Sequence, residues 1–528
     1  SLRARMGEMI SDWRAHAANS ELAKLVEQLR PGEVDAWLDA ATPRLPETVR
    51  VNPCRDDVEW TQDILSEMGA IPIKWFTGEG RAYTLPWDKS RCPDETYRLK
   101  IQCLHMTGRI TQQEAASMLP VQALDVQPGH RVLDLCAAPG SKSTQIAEAL
   151  DGQGLVVVSE PSPGRVNNLV SNTQRAGHLN MVVVRQDGRH FPRVAEPGFD
   201  RVLVDAPCTG SGTTRKNTDV WAKWNPKHGA HLARLQKGIL SRGALLLRPG
   251  GKMVYSTCSI DPQENEEVVE EVLERFPWIA LVDIDRKTTF PGLKTRTGIT
   301  EKTQSCIRVW NDENDGSGFF IAVFEQTETE HDSARATRAH SRDEGVDPTP
   351  IEPRPAGKKD LKIAKEDELE LFEEWGVDSN GLVMWRRGQF AHISTEEIHD
   401  WMWAAPRLTA KNKLYPGGHW HPMRVLQAGQ PVWKIRNGKN RLISTGIHGV
   451  GNRVTHHLIQ IDKSLATRLL EGEEPGKSTL GEEFQNQRDG GVLLACDGEF
   501  IPAWLAGKLS LMMPNPDQQI LKWKLQIQ

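Results

Sequence analysis

Short apolar runs alternate with amphipathic segments between residues 131 and 326. Each run has the length of a strand that is buried on both faces, and each amphipathic segment repeats apolar residues at helical spacing. The predicted strands lie at 131–136, 155–159, 181–185, 202–204, 253–255 and 319–324, and the predicted helices at 143–150, 164–176, 228–247 and 264–275. Strands that alternate with helices form a mostly parallel sheet covered on both faces, so the pattern predicts an α/β, Rossmann-like fold.

The residues that precede this unit follow two other patterns. Residues 1–48 have helical spacing at 6–13 and 22–29 and predict a helical appendage packed on the main body. Residues 49–125 combine a helix at 55–69, an extended aromatic stretch at 74–85 and a short helix at 111–120, which Thr111 and Glu114 would open as a capping box. We expect this mixed segment to hold a substrate against the α/β unit at 126–326.

A charged stretch rich in Ser, Thr and Pro separates the α/β unit from a third region. Residues 327–359 lack apolar periodicity, which predicts a linker. Residues 360–528 begin with a helical segment at 361–375 and continue with short strands between glycine turns, among them 382–385, 432–435 and 491–495. The pattern therefore predicts a mainly β domain after the linker.

Composition narrows the class of protein. The 528 residues allow about three domains, and the eight cysteines form no CxxC pairs. Since there is no secretory signal, these thiols are expected to be reduced inside a cell. No window approaches the ~20 apolar residues of a membrane span, so no membrane association is expected. The net charge of −5 argues against a globally basic nucleic-acid binder but leaves room for local basic patches.

One such patch lies in the third region. Between residues 407 and 457 there are nine Lys or Arg and no Asp or Glu, and Trp420 and Trp433 lie among them. Basic side chains neutralise phosphates and aromatic rings stack on unpaired bases, which favours RNA binding; a solvated basic face is the alternative. The same stretch is rich in histidine, but no Cys or acidic residue stands at ligand spacing, so no metal is expected.

Two cysteines follow predicted strands of the sheet. Cys208 comes after the strand at 202–204, and Cys258 comes after the strand at 253–255. A lone cysteine is best explained as a small core residue. The carboxyl ends of parallel strands meet at one edge, where α/β sheets bind their ligands, so the pair indicates a single reactive cleft.

Other strand ends carry residues that suit a nucleoside-type cofactor. The turn Ala137-Ala138-Pro139-Gly140-Ser141 opens onto a helix whose amino terminus attracts a carboxylate. Glu160 has the spacing of an acidic residue that binds ribose hydroxyls, and Asp187 and Asp205 end the third and fourth strands. The Gly-x-Gly-x-x-Gly fingerprint is missing, which, with the paired cysteines, argues against a Rossmann dehydrogenase.

Three motifs, in order, resemble those of a known family. They are Asp134-Leu135-Cys136-Ala137-Ala138-Pro139-Gly140-Ser141-Lys142, then Asp205-Ala206-Pro207-Cys208-Thr209-Gly210, then Ser256-Thr257-Cys258-Ser259 with Glu264-Asn265-Glu266. Over roughly residues 50–325 the chain resembles the NOL1/NOP2/Sun family of RNA (cytosine-5)-methyltransferases, which use S-adenosylmethionine. Residues 108–115 and 215–217 are most similar to its Trm4/NSUN2-like tRNA branch, and residues 423–432 resemble the core of a PUA-like RNA-binding domain.

The resemblance implies a class I methyltransferase fold and a role for each motif residue. Cys258 would attack C6 of the target cytosine to form a covalent adduct, and Cys208 would assist release of the product. Asp205 would lie beside the cytosine and the methionine ammonium group, with Lys142 supporting the charge balance. Cofactor contacts are implied for a larger set: the methionine end against Cys136, Ala137, Ala138, Pro139, Gly140, Ser141 and Lys142, the ribose against Glu160, and the adenine edge against Asp187.

Alternatives remain for individual residues and for the substrate. An ordinary helix cap is the alternative for Asp187, and Arg165 is expected to be a solvated surface residue. Residues 159–163 are richer in proline than the family pattern, although Glu160 keeps the carboxylate. The expected substrate is tRNA; ribosomal RNA, or a non-catalytic RNA-binding or ribosome-assembly role, are the alternatives. A monomer in the cytoplasm, or in the nucleus of a eukaryote, is expected.

Overall fold

The computed structural model describes residues 13–194, 198–327, 348–357 and 359–527. The first elements are three short helices, α1 (Trp13–Ala18), α2 (Glu21–Leu29) and α3 (Val34–Ala41). The helix predicted at 6–13 lies outside the described residues except for its last position. Leu22 and Val26 on the apolar face of α2 share a core with Trp221 and Trp224 of the α/β unit, which attaches the helices to that unit.

The next segment is a small antiparallel sheet with helices on it. Its elements are β1 (Pro46–Val51), α4 (Val58–Glu67), β2 (Ile71–Pro72), β3 (Ala82–Asp88), α5 (Glu95–Met106), β4 (Ile110–Gln112) and α6 (Leu119–Leu124), and its strand order is β2-β3-β1-β4. The helix predicted at 111–120 begins later than predicted, because Thr111 pairs with Arg50 of β1 and Glu114 makes no capping hydrogen bond. The helical residues are the 3₁₀ turn Ala115–Met118 and α6. Pairing with a distant strand outweighs the local capping signal here.

The α/β unit alternates strands and helices. Its elements are β5 (Arg131–Asp134), α7 (Ser141–Ala149), β6 (Leu155–Ser159), α8 (Pro163–Ala176), β7 (Met181–Arg185), β8 (Arg193–Val194), β9 (Phe199–Asp205), α9 (Val220–Lys223), α10 (Pro226–Leu246), β10 (Leu247–Thr257), α11 (Glu266–Arg275), β11 (Ile279–Leu281), α12 (Arg286–Thr289), β12 (Arg296–Thr297), β13 (Ile307–Val309) and β14 (Phe319–Gln326). Strands β7-β6-β5-β9-β10 are parallel neighbours, and β14 joins β10 in the antiparallel direction. The predicted parallel core is confirmed.

Alternate side chains of this sheet fill two separate cores. Leu155 and Val157 of β6 lie in one core, whereas Val156 and Val158 lie in the other with Ile146 of α7. Every residue of β6 is buried because helices cover both faces of the sheet. The chain order reverses between β5 and β9, so the carboxyl ends of these strands border the crevice in which such sheets bind ligands.

The region after residue 348 is mainly β and shares a sheet with the α/β unit. Its elements are β15 (Thr349–Pro350), β16 (Lys362–Ile363), α13 (Glu366–Glu374), β17 (Leu382–Arg387), β18 (Phe390–Thr395), the π-helical turn Ile398–Trp403, β19 (Arg407–Leu408), β20 (Lys413–Tyr415), β21 (Arg424–Ala428), β22 (Gln430–Arg436), β23 (Lys439–Leu442), α14 (Ser444–Val450), β24 (Leu458–Gln460), α15 (Lys463–Leu470), α16 (Glu482–Gln485), β25 (Gly490–Cys496), β26 (Glu499–Leu505), β27 (Leu509–Leu511) and α17 (Asn515–Lys524). Strand β21 pairs antiparallel with β7 at the margin of the large sheet. Helix α17 packs on α5, and Lys524 lies 3.0 Å from Asp57 of the mixed segment. This region therefore contacts both other parts of the chain.

The acid-free stretch at 407–457 does not form one solvated surface. Arg407 is fully buried and donates hydrogen bonds to three backbone carbonyls. Trp433 is also fully buried, with its ring centroid 5.8 Å from that of Phe372, so its predicted stacking on RNA bases is wrong. Strand β22, which lies inside its sheet between β18 and β23, uses this indole to fill the core beneath it. Trp420 is 8% exposed and lines a cavity.

Two further properties follow from the described parts of the chain. No helix there combines the length and the apolar character that crossing a bilayer requires. Nor do any three His, Cys, Asp or Glu side chains within these residues come together as a metal site would require.

Candidate active site

The two cysteines singled out by the sequence lie side by side. Cys208 follows β9 and Cys258 follows β10, and these strands are parallel neighbours with Ser256 opposite Asp205. The two sulfur atoms are 3.3 Å apart, and both residues are partly exposed. The structure therefore brings the two strand ends into one cleft, as the pattern predicts.

Backbone contacts hold the loops that carry these sulfurs. The Gly212 amide donates to the Cys258 carbonyl at 2.9 Å, and the Gly318 amide donates to the Gly212 carbonyl at 2.9 Å. A Cβ atom on Gly212 would lie 2.4 Å from the Gly318 carbonyl oxygen, so only glycine permits this approach. Gly212 thus ties the two cysteine loops together, and Gly318, the residue before β14, is hydrogen-bonded to it.

A buried carboxylate joins the same two loops. Glu264 accepts hydrogen bonds from the amide and hydroxyl of Thr209 at 2.9 and 2.5 Å, from the Ser259 hydroxyl at 2.6 Å and from Gln236 Nε2 at 3.0 Å. Its exposed fraction is 0%. Thr209 and Ser259 directly follow the two cysteines, so Glu264 sets the separation of the sulfurs. In the sequence only its place in a motif pointed to Glu264, because Thr209 and Gln236, which bond to it, are distant along the chain.

The two thiols do not both ionise at this separation, since one thiolate repels another. The hydrogen bond between the two sulfurs and the burial of the side chain raise the pKa of Cys208 well above its usual range. Cys208 is therefore a neutral thiol at pH 7.

A lysine–aspartate pair borders the cysteines. Lys142 Nζ lies 2.7 Å from Asp205 Oδ2 and donates to the Ser117 hydroxyl at 2.9 Å. The Ser256 hydroxyl donates to the other oxygen of Asp205 at 2.7 Å. Burial lowers the pKa of Lys142, but the Asp205 carboxylate and negative charge on Cys258 outweigh it, so the net shift is upward and the ammonium is charged at pH 7. Lys142, Asp205 and both cysteines thus share one site.

The turn after β5 suits an anionic group. Asp134 accepts hydrogen bonds from the Ser143 hydroxyl at 2.7 Å and the Cys136 amide at 3.2 Å, and burial raises its pKa to about 6. Gly140 has a φ of +114°, a conformation that favours glycine, and leads into the nine-residue helix α7. The unpaired amides and the dipole at the start of that helix favour a carboxylate.

Glu160 directly follows β6 and is only 2% exposed. Its carboxylate accepts a hydrogen bond from the Ser162 amide at 2.9 Å and lies 3.2 Å from the Arg165 guanidinium. Arg165 also donates to the Ala138 carbonyl at 2.8 Å. Arg165 is exposed, as expected of a solvated surface residue, and its position in the first turn of α8 also brings it to Glu160 and to the turn after β5.

Asp187 has the helix-cap geometry that was its alternative. It caps the short 3₁₀ turn Gly188–His190 by accepting the Arg189 amide at 2.9 Å, and the Arg189 guanidinium lies 2.7 Å from its carboxylate. The hydrogen bonds from Arg189 lower the pKa of Asp187. Contact of this residue with adenine stays a prediction.

These groups fit a cofactor that has a carboxylate, ribose hydroxyls and a positive charge. The start of α7 suits the carboxylate, and the buried carboxylate of Glu160 can accept hydrogen bonds from hydroxyls. Asp205 offers a negative group at the neighbouring strand end. The donor set on this edge is therefore chemically suited to S-adenosylmethionine.

The mixed segment is bound to the helix that follows the turn. Arg50 of β1 donates to both carboxylate oxygens of Glu148 at 2.7 and 2.9 Å and to the Thr144 hydroxyl at 3.0 Å. A cavity of about 290 Å³ lies between the segment and the turn, and Lys89 and Lys216 are in its wall. The segment thus lies against the α/β unit beside the cleft.

The protein is an α/β protein of the nucleoside-cofactor-binding class. This follows from the order of its sheet and from the thiol pair and anion-binding turn at one edge of that sheet. A family model described as 16S rRNA methyltransferase RsmB/F matches residues 121–325. The chain is 39% identical over 276 residues to the multisite-specific tRNA:(cytosine-C(5))-methyltransferase of Saccharomyces cerevisiae, an alignment that covers 43% of this chain and 40% of that protein.

A second relative is matched over almost its full length. The chain is 34% identical over 307 residues to the tRNA (cytosine(49)-C(5))-methyltransferase of Pyrococcus abyssi, covering 58% of this chain and 95% of that protein. A solved structure of a methyltransferase homolog protein from Pyrococcus horikoshii is 29% identical, covers 57% of this chain and 92% of that chain, and has a TM-score of 0.46. The chain belongs to the NOL1/NOP2/Sun (RsmB/F) family of RNA (cytosine-5)-methyltransferases, so the family identified from its motifs is confirmed.

Proposed function

We propose that this chain transfers a methyl group from S-adenosylmethionine to C5 of a cytosine in RNA, with tRNA as the substrate. The observation that carries the proposal is the 3.3 Å contact between the Cys208 and Cys258 sulfurs beside the Lys142–Asp205 pair. Cytosine C5 is a poor nucleophile until a thiolate has added to C6, and a base must later remove the C5 proton. Two thiols in one cleft can meet both needs.

Cys258 is the nucleophile in this proposal. Its sulfur bonds to C6, the proton that the thiol gives up goes to N3 of the ring, and the electron pair of the C5–C6 double bond becomes available at C5. Asp205, held by Ser256 and Lys142, accepts a hydrogen bond from the protonated N3. The Lys142 ammonium attracts the thiolate, since the Coulomb interaction seen in the pKa of the lysine is mutual. When bound, S-adenosylmethionine supplies a methyl group activated by a positively charged sulfur.

Cys208 assists release of the methylated product. The C5 proton must leave so that the bond between C6 and sulfur breaks and the C5–C6 double bond returns. In the free protein the contact with Cys258 raises the pKa of Cys208. Once the Cys258 sulfur is bonded to carbon it carries no negative charge, so this cause of the raised pKa is removed at the step that needs a base.

The cofactor residues take the roles implied by the motifs. The turn from Cys136 to Lys142 holds the methionine end at the start of α7, Glu160 binds the ribose, and Asp187 lies at the adenine edge. These roles place the methyl donor at the carboxyl ends of β5 and β6, next to the cysteine loops.

The proposal of tRNA rests on the two relatives named for tRNA cytosines. Ribosomal RNA is the second candidate, because the matching family model is described as a 16S rRNA methyltransferase. Residues 360–528, with the PUA-like segment at 423–432, are proposed to bind the RNA through basic side chains such as Lys362 and Arg424, which are exposed.

A methylation assay tests this function. The purified chain receives S-adenosylmethionine with a labelled methyl group and either tRNA or 16S rRNA, and bisulfite sequencing of RNA from cells with and without the gene locates the cytosine. Labelled 5-methylcytosine in tRNA, absent with the Cys258→Ala variant, is the expected result. Label in ribosomal RNA alone would favour the second candidate. A folded, cofactor-binding protein that labels neither RNA would refute the proposal.

A further inference from the structure

A cavity of about 510 Å³ opens in the third region beside the start of β21. Its volume lies within the roughly 300–1,000 Å³ of small-molecule sites. The wall combines indole and imidazole rings with basic side chains, among them Trp403, Trp420, His419, Arg354, Lys362 and Arg424. Aromatic faces together with cations are the groups that proteins use to bind unpaired nucleotides.

The cavity lies at the same edge of the large sheet as the cysteines. Strand β7 ends at Arg185, and β21 runs antiparallel to it with Arg424 opposite Arg185. Arg424 therefore lies at the carboxyl ends of the parallel strands, the edge that also carries Cys208 and Cys258. Four strand spacings separate β21 from β9, roughly 19 Å at ~4.8 Å each, a distance that a few nucleotides can span.

Several polar atoms of the cavity-lining residues have no hydrogen-bond partner among the described residues. They are both ring nitrogens of His419, Nε1 of Trp420 and Nδ1 of His421. Buried polar groups are normally paired, so these atoms have hydrogen-bonding capacity that the described residues leave unused. Burial and the nearby Arg407 guanidinium lower the pKa of His419 to about 4, so its ring is neutral at pH 7 and can both donate and accept a hydrogen bond.

Cations surround the opening of the cavity. Arg354, Lys362 and Arg424 are exposed to solvent. The acidic residue in the wall, Asp360, accepts a hydrogen bond from the Gly357 amide at 2.7 Å. The charge at the opening is therefore mainly positive, which suits the phosphates of a nucleic acid.

We propose that this cavity binds one unpaired nucleotide of the substrate RNA, apart from the cytosine that is methylated. The base packs against Trp403 and Trp420, and its phosphates lie against Lys362 and Arg424. The proposal rests on the proposed RNA methyltransferase function and adds a second point of attachment. Since β21 is hydrogen-bonded into the catalytic sheet, this contact sets the position of the RNA relative to the cysteines.

The test compares two double variants of the full chain. Lys362→Gln with Arg424→Gln removes charge at the cavity, whereas Arg436→Gln with Lys439→Gln removes equally exposed charge at the end of the β22–β23 hairpin. Binding is measured with a tRNA transcript, a short single-stranded oligouridylate and uridine monophosphate at several salt concentrations. The cavity variant is expected to bind the transcript about tenfold more weakly, with a salt slope smaller by about 1.4, because each single-strand phosphate contact contributes about 0.7.

The control variant is expected to change the affinity for the tRNA transcript less than twofold. The oligouridylate should quench tryptophan fluorescence in the wild type but not in the cavity variant. Equal weakening by both variants would mean diffuse attraction and would overturn the proposal, as would an unchanged cavity variant. Binding of uridine monophosphate without binding of RNA would also overturn it. If no RNA is methylated and the difference in RNA binding persists, the proposed function fails and this inference stands.

Discussion

Charged groups at the catalytic strand ends are bonded to other protein groups, whereas those beside β21, which extends the same sheet, are exposed to solvent. Lys142 and Glu264 each contact several protein partners at 3.0 Å or less. Arg424 of β21 and Lys362 of β16, which line the same cavity, are exposed to solvent instead. Charges that act on a reacting ring must already be oriented, and they act more strongly where water is excluded. Charges that hold a polyanion gain most from releasing its counterions and need no fixed partner.

The same contrast is present inside the acid-free stretch. Arg407 is fully buried and bonded to backbone carbonyls, whereas Arg424 is exposed at the edge of the sheet. Two arginines in one basic segment therefore have different tasks, one in the fold and one in the proposed RNA contact. Counting basic residues along a chain does not separate these tasks.

The largest expected effect comes from the cysteines. Cys258→Ala should lower methyl transfer by at least about 10⁴-fold, since it removes the proposed nucleophile, and leave cofactor affinity unchanged. Cys208→Ala should instead accumulate a covalent adduct with RNA, visible as a slow band on a denaturing gel. Cys54→Ala, at an exposed cysteine of the mixed segment, is the control and should behave as wild type. Normal turnover by Cys258→Ala, or no adduct with Cys208→Ala, would contradict the assignments.

The next effect is that of the buried lysine. Lys142→Met should lower the single-turnover rate by about 10²–10³-fold, because a preoriented charge beside the reacting ring is lost. Lys252→Met is matched to it: Lys252 lies 3.2 Å from Asp125, away from the cysteine end of β10. That control should stay within about twofold. Similar rates for the two variants would show that Lys142 has no part in the chemistry.

Glu264→Gln should have a smaller effect of about tenfold on kcat, with KM for RNA unchanged, because misplaced catalytic groups slow the reaction without weakening binding. Glu264 accepts hydrogen bonds from Thr209 and Ser259. In the variant an amide nitrogen, which cannot accept a hydrogen bond, would face one of these donors. The variant should also slow the joining of Cys208 and Cys258 by diamide, which reports the distance between their sulfurs. Glu267→Gln, at an exposed position of α11, should change neither rate. Unaltered diamide kinetics in Glu264→Gln would argue against a positioning role.

The smallest effect on catalysis is expected from Arg407. Arg407→Met should lower the free energy of unfolding by about 3 kcal/mol, since buried carbonyls lose a charged donor, and should leave the activity of the folded protein intact. Arg424→Gln should change the unfolding free energy by less than about 0.5 kcal/mol. Urea unfolding measures both. Equal stability of the two variants would remove the distinction between a structural and a solvated arginine.

Apolar runs predicted strands β5, β6, β7, β9, β10 and β14. A strand that is buried on both faces needs apolar residues at nearly every position, so the run itself shows where the strand is. The turn after β5 and the two cysteine loops followed from the same pattern, since the carboxyl ends of parallel strands must lie at one edge. The family motifs then placed Lys142 and Asp205 in the cleft. These features depend on residues close together along the chain.

Other features depend on contacts between distant residues, and only the tertiary structure decided them. The capping signal at Thr111 gave way to pairing with β1, and the exposed Arg165 gained contacts with Glu160 and the turn. Trp433 entered a core, and β21 joined a strand some 240 residues earlier. Local periodicity tells which face of an element is apolar; it does not tell which element covers that face, because the partner is chosen by packing of the whole chain.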